Sequence, residues 1–454
     1  MTAPTVNAGP RIDRLPISGF HRRVLYTIGA GMFFDSFDIY LAGGVLAALL
    51  HGGWSDMAGN ARFISVTFVG MIIGSLLAGF MGDRFGRRFN FQFNLALFGL
   101  ASLAGAFAPT MNWLVACRFL MGIGLAAEIV VGYAMLTEFV PPSHRGRWGA
   151  LLSLLTNLAV FASTFVGLCV LPTLGWRWMF ALVAAGAMVA WLFQRRLPES
   201  PRWLETRGRT ADAERALAAI EAEVEAQSGP LPEPIVGKSA PVVRQASVWA
   251  LFSPAMLHRT LLAMLVNIVV NGIIYGFVAW VPSFMVKSGL TVTSSLLYTA
   301  VMSLGGPFGA FLGYLMADSI GRKKGIVLVS LVAAVLGWMY ALTTNPWMLM
   351  VVGFGVFTCI YILVAFIYAV YVPELFPTEC RLRGTGVSTT VGRVAAMIVP
   401  YVVVMLFNAG GVTYVLALLA GLLLLQAAVI ALWGIETKDR SLEALAVEPD
   451  EKTA

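Results

Sequence analysis

The chain alternates long apolar runs with short charged punctuation, and the runs have the lengths of membrane crossings. A helix spanning about 30 Å of hydrocarbon needs about 20 residues. Phe63 to Gly82 is 20 uncharged residues, Phe89 to Cys117 is 29, Trp148 to Trp176 is 29 and Trp178 to Gln194 is 17. Further on, Thr260 to Val286 is 27, Ser288 to Ala317 is 30, Gly325 to Pro373 is 49 and Val394 to Ile435 is 42. The last two each hold a hairpin of two helices, dividing at the turn-forming stretches Thr343 to Pro346 and Asn408 to Gly411. With a first span over Val24 to Leu50 and another from Asn112 to about Thr137, the pattern predicts an all-α protein of twelve spans. The first run contains Asp35 and Asp38 and no small-residue cleavage site, so it reads as a retained span rather than a signal peptide.

Composition agrees with this pattern. Of 454 residues, 58% are hydrophobic and 12% charged, about half the charge an ordinary soluble domain carries. Disorder, a disulfide scaffold and a nucleic-acid binder are excluded on the same ground. Cys117, Cys169, Cys359 and Cys380 have no metal-ligand spacing. The net charge of +7 reflects where the basic residues sit. Twelve spans place both termini on one side, and on the far side only Arg62, Arg177 and Lys287 are basic, so both termini are expected in the cytoplasm. Residues 205–259 are the one sizeable polar segment: Thr210 to Gln227 reads as a short amphipathic helix, and Pro230, Pro232, Pro234 and Pro241 mark an extended linker. The expected organisation is a six-helix half over 1–204, this linker over 205–259, and a second six-helix half with a short tail over 260–454.

The halves are a repeat. Asp83-Arg84-Phe85-Gly86-Arg87-Arg88 after span two corresponds to Asp318-Ser319-Ile320-Gly321-Arg322-Lys323 after span eight. Glu138 to Pro141 with Arg145 corresponds to Glu374 to Pro377 with Arg381, and Glu199 to Glu436. Three matches in order at one offset indicate two related halves enclosing a seam, the arrangement an alternating-access carrier requires. Asp83, Arg84, Arg87, Arg88, Glu138, Arg145, Asp318, Arg322, Lys323, Glu374 and Arg381 are therefore candidate gating residues that latch helix ends; the alternative is that the basic ones only anchor topology.

Five ionisable residues lie deep in spans, and each is a functional candidate because hydrocarbon tolerates unpaired charge poorly. Asp35 and Asp38 are three apart, on one face of span one. Two carboxylates in a low dielectric cannot both stay ionised cheaply, which suits a proton carrier; a static salt bridge is the alternative. Arg118 and Glu128 lie in span four, about 15 Å apart by helix rise. Glu128 is either a second proton site or part of a cytoplasmic network. Arg393 lies about 13 Å into span eleven, where a guanidinium favours a carboxylate ligand. Asn267, Asn271 and Tyr275 form a stripe in span seven, and Tyr361 and Tyr368 lie seven apart in span ten; such stripes are ligand contacts or interhelical glue. Phe33, Phe34 and Phe37 read as bundle packing. Gly122, Gly124 and Ala127 spell a dinucleotide signature, but inside a span with no preceding strand they read as close helix packing. No P-loop, mid-span His, metal spacing or nucleophile constellation occurs, so neither an enzyme, a cofactor nor a metal site is expected.

Gly79 to Arg88 (GFMGDRFGRR), Arg118-x3-Gly122-x-Gly124, Glu138 to Gly146 (EFVPPSHRG), Pro198 to Leu204 (PESPRWL) and Pro373 to Gly384 (PELFPTECRLRG) resemble the major facilitator superfamily. Within it the chain looks like the branch of sugar porters, bacterial metabolite:proton symporters, organic ion carriers and vitamin B3 transporters. The resemblance runs from about Leu25 to Lys438. It implies a proton-bearing acid in span one paired with an Arg in span four, at Asp38 or Asp35 and Arg118. It implies an organic anion as substrate, since anion carriers tend to have a basic residue where Arg393 stands. Tyr275 aligns with an aromatic lining position, while Thr156 and Asn157 stand where several vitamin B3 carriers have Trp; Asn157 is a candidate substrate contact with Arg393, Tyr275, Asn267, Asn271, Tyr361 and Tyr368. The expected protein is a monomeric, proton-coupled importer of the inner membrane for an aromatic monocarboxylate such as nicotinate. A sugar or polyol symporter and a receptor that binds without translocating are the alternatives. A green fluorescent protein fused at the C-terminus should fluoresce and a phosphatase fused there should be inactive; the reverse pair of results would overturn the cytoplasmic assignment.

Overall fold

In hydrocarbon the backbone has no water to bond, so each crossing must satisfy its own N–H and C=O groups, and a helix does so. The computed structural model describes residues 6–234, 247–343, 345–377 and 380–437, without the side chains of 83, 314, 317–319, 369 and 382. Among the described residues there are helices and turns and no strand. Spans one to six are Gly19–His51, Met57–Phe85, Arg87–Ala106, Met111–Phe139, Arg145–Val170 and Trp176–Gln194. Span seven runs from Pro254–Ile273 through a π turn, Ile274–Val278, into Val281–Lys287. Span eight is Val292–Ser303 with Gly305–Ile320, and span nine is Arg322–Leu342. Span ten is Pro346–Val364 continuing through a π segment, Ala365–Tyr371, to Val372–Leu375.

Spans eleven and twelve form one run, Arg381–Trp433, interrupted where Gly410 leaves helical geometry and Gly411 takes φ 69°. Among the described residues ten helices are long and apolar enough to cross a membrane. The 20-residue helix Arg87–Ala106, with Asn90, Gln92 and Asn94 near its start, and the break at Gly410–Gly411 bring the crossings to twelve. The helix starts carry local signals: Thr110 accepts the N–H of Trp113, and Asn345 those of Trp347 and Met348 with Pro346 at the first position.

The chain divides into two compact units. The first comprises Met1–Ile39, Val69–Ala159 and Trp176–Val242; the second comprises Tyr40–Phe68, Val160–Gly175 and Val243–Ala454. In the first, span three packs along spans four and six; in the second, span nine packs along span ten and the run of spans eleven and twelve. The repeat is thus visible inside each unit. Lipid supplies no hydrophobic drive for helix association, so close van der Waals packing does the work. A Cβ on Gly74 would lie 2.1 Å from the Ile123 carbonyl oxygen in span four, and one on Gly309 would lie 2.3 Å from that of Thr358 in span ten. Equivalent helices therefore meet backbone to backbone in both units.

A short helix, Ala8–Asp13, precedes span one and packs on the linker helix, Thr210–Ser228, with Ala8, Ile12 and Leu217 at the contact. Arg11 and Arg14 each reach Glu221 at 2.6 Å. Burial works against the Glu221 charge, but the two guanidiniums hold its carboxyl below the ordinary range. Pro241 of the expected linker lies outside the described residues. Because the backbones already touch, Gly74→Ala and Gly309→Ala should each destabilise the protein by about 1–3 kcal/mol, lowering its melting temperature in detergent. An unchanged melting temperature for both would show that the contact relaxes.

Candidate functional site

The helix ends on the motif side carry the same bonds twice. In the first unit, the N–H groups of Arg87 and Arg88, which open span three, donate to Glu199 Oε1 at 2.9 and 3.1 Å, and Arg87 Nε donates to Glu138 Oε1 at 3.2 Å. In the second, the N–H groups of Arg322 and Lys323, which open span nine, donate to Glu436 at 2.9 and 3.2 Å, and Arg322 Nε donates to Glu374 Oε2 at 3.2 Å. Each Glu satisfies two orphan N–H groups at a helix start and meets the positive end of the helix dipole. The preceding residue is Gly86 at φ 102° and Gly321 at φ 90°, and a Cβ on Gly86 would lie 2.3 Å from Glu199 Oε2. Burial pushes the Glu199 carboxyl up, against the pull of the N–H groups of Ser200, Arg88 and Arg87.

Other motif residues take varied roles. Arg88 donates to the Arg195 carbonyl at 2.7 Å, Arg145 to the Val140 carbonyl at 3.0 Å and to Asp13 at 3.1 Å, and the Arg84 guanidinium lies over the Phe85 ring. Arg381 is the first residue of span eleven. The side chains of Asp83 and Asp318 lie outside what the structure describes.

Within the first unit, spans one, four and six bring five polar groups, Asp35, Asp38, Arg118, Glu128 and Gln194, into an apolar interior. Arg118 donates to Asp38 Oδ2 at 2.5 Å, and both are sealed from solvent. Asp35, one turn earlier, meets the carboxyl of Glu128 instead. Gln194, at the end of span six, donates to Glu128 Oε1 at 3.3 Å. The two aspartates thus have separate partners, and Glu128 does not share the Arg118 contact. Removing one member of a buried ion pair such as Asp38–Arg118 strands the other, at about 3–5 kcal/mol. Asn157 lies in this unit and bonds to its own helix at the Ser153 carbonyl, 2.9 Å.

Within the second unit, the candidate substrate residues converge. The Asn271 amide donates to the Tyr368 hydroxyl at 2.6 Å and to the Asn267 carbonyl at 2.8 Å. Gly392 of span eleven packs on both asparagines, a Cβ there lying 2.6 Å from Asn271 Nδ2. The next residue, Arg393, is within electrostatic reach of Tyr275 and Tyr368. Tyr275 stands edge-on to Phe68 with ring centroids 4.3 Å apart, and Tyr361 lies 6.3 Å from Tyr40. Tyr275 falls in the π turn of span seven and Tyr368 in the π segment of span ten. Such turns displace the i→i−4 ladder and re-aim side chains, and they recur at functional sites. Among the described residues, the phenols of Tyr40, Tyr275, Tyr361 and Tyr368 and the Phe68 ring thus lie near one another and the Arg393 guanidinium.

Tyr40, Phe68 and Gln194 escaped the sequence reading. Gln194 had a signal, as the polar end of an otherwise uncharged run; Tyr40 and Phe68 had none beyond ordinary span composition. Glu199 and Glu436 were visible as repeat markers, but their capping role needed the fold.

These features define an integral membrane transporter of the major facilitator fold, with a duplicated set of helix-end bonds and charged groups inside its spans. Residues 55–448 match the family described as Sugar (and other) transporter, and the chain belongs to that family of membrane transporters. The inner membrane metabolite transport protein YdjE of Escherichia coli is 40% identical over 96% of this chain and 98% of its own length. The niacin transporter NiaP of Acinetobacter baylyi is 30% identical over 96% and 98%. Among solved structures, the D-xylose-proton symporter matches with a TM-score of 0.73 at 17% identity, over 92% of this chain and 99% of that one. Glu199→Ala and Glu436→Ala should each destabilise by about 1 kcal/mol, read as similar falls in melting temperature. If only one variant responded, the two caps would not be equivalent.

Proposed function

We propose that the protein is a proton-coupled importer of a small organic anion, best an aromatic monocarboxylate such as nicotinate, working by alternating access. The observation that carries this reading is Arg393 beside Tyr275 and Tyr368, with Phe68 closing the ring edge. Phenol and phenyl faces accept a planar ring, and a guanidinium pairs two carboxylate oxygens at once. The niacin transporters among the relatives support it. The buried acids of span one support proton coupling, since a carrier must load and unload a charge in a dry interior. The duplicated bonds at Glu138, Glu199, Glu374 and Glu436 serve as latches that hold one gate state. In this reading the protein lies in the inner membrane with both termini in the cytoplasm and acts as a monomer.

A sugar or polyol:proton symporter is the second reading. It is favoured by the open carbonyl of the Asn267 amide, which has no hydrogen-bond partner among the described residues, and by the arabinose-proton symporter among the relatives. Titrating purified protein with nicotinate, benzoate, nicotinamide and xylose separates the two. The acids should bind and Arg393→Ala should weaken them about 10- to 150-fold, the worth of a charge-assisted hydrogen bond of roughly 1.5–3 kcal/mol. Undiminished affinity, or preference for xylose, would sink the anion assignment. In proteoliposomes, full pH-driven uptake by Asp38→Asn and Asp35→Asn variants would remove proton coupling.

A further inference from the structure

The ionisable side chains of spans one and four do not form one cluster. Asp38 and Arg118 neutralise each other, and a pair of net charge zero has no need of a further cation. Asp35 and Glu128 are different. Both are fully buried, they face each other within hydrogen-bond reach, and both are acids. Among the described residues, neither Asp35 oxygen accepts a bond from an amide, hydroxyl or cationic group, and Glu128 Oε2 is equally unserved. The charged groups acting on Asp35 are Glu128 and Asp38, both acids, and Asp38 is already held by Arg118. Span six adds only the neutral Gln194, whose amide N–H donates to Glu128 Oε1. Two carboxylates can bond each other only if one supplies an O–H.

We propose that Asp35 and Glu128 form a carboxyl–carboxylate pair that binds one exchangeable proton, separate from the Asp38–Arg118 ion pair, with Gln194 orienting the acceptor. The site is tight: a Cβ on Gly31, one turn before Asp35, would lie 2.1 Å from Glu128 Oε1 and 2.5 Å from Gln194 Nε2. Close contact of this kind suits a proton, which needs no coordination shell, better than a metal cation with its ring of oxygens. Loading is balanced simply. A proton from solvent binds one carboxylate and the O–H donates to the other; on release it returns to solvent and the charge of the pair changes from −1 to −2. Resting on the symport reading, this is where the transported proton sits, and Asp38–Arg118 becomes the fixed ion pair beside it.

The test is infrared difference spectroscopy on purified full-length protein in liposomes, stepped between acid and alkaline pH, following the C=O stretch of a buried protonated carboxyl. No substrate is needed. The band should appear in the wild type, persist in Asp38→Asn, and disappear in Glu128→Gln and in Asp35→Asn. Glu128→Gln preserves the side-chain shape, and monodisperse gel filtration establishes that it folds. Absence of the band in the wild type at every pH, or its survival in folded Glu128→Gln, overturns the proposal. So does its loss from the wild type when sodium chloride replaces choline chloride, since the pair would then hold a metal cation. If the band behaves as expected while uptake ignores a pH gradient, the pair stands and the symport reading falls.

Discussion

Everything polar in this protein is governed by the cost of leaving charge unpaired in hydrocarbon. Asp38 and Arg118 meet at 2.5 Å with neither exposed to solvent, and that bond ties span one to span four in the first unit. It also shapes the surroundings. With Arg118 bonded to Asp38, the second aspartate one turn away meets a different group, and among the described residues that group is another acid, Glu128.

The same constraint acts on the backbone. Helix starts leave N–H groups without partners, and where they lie at a membrane boundary a nearby carboxylate is the strongest acceptor available. The chain solves the problem once and repeats the solution: a left-handed Gly, two basic residues opening the helix, and a Glu arriving from three spans later. Glu199 and Glu436 play this part for spans three and nine, and Arg87 and Arg322 use their side chains on a second Glu at the end of spans four and ten. These bonds are polar, partly exposed and individually modest. Elsewhere in the spans the packing is apolar and close, with Gly74 and Gly309 against neighbouring backbone.

The polar cluster of the second unit follows a different logic. Lipid-facing helices need no irregularity, yet spans seven and ten each carry a π segment where Tyr275 and Tyr368 occur. An extra residue in a turn shifts the side-chain register, so residues that a 3.6-residue period would place apart come to share a surface. Asn271 then closes on the Tyr368 hydroxyl, and Gly392 lets span eleven approach closely enough to bring Arg393 beside both phenols.

The number of spans, their division into a repeat and the identity of the charged residues inside them could be read from the sequence. Run length, charge punctuation and internal offsets are properties of the chain alone, and hydrocarbon thickness converts them directly into structure. The break at Asn408 to Gly411 was legible for the same reason, since glycine and asparagine announce a turn locally. Which acid pairs with which base was not legible. Asp35 and Asp38 share a helical face, and helix rise alone separates Arg118 from Glu128 without saying where span one crosses span four. Only the crossing of the two helices decided that Asp38 takes the guanidinium and Asp35 the second carboxyl. The contacts of Tyr40, Phe68 and Gln194 were decided there too, because a side chain's partner depends on the register between helices, and register is fixed by packing over the whole contact rather than by any local pattern.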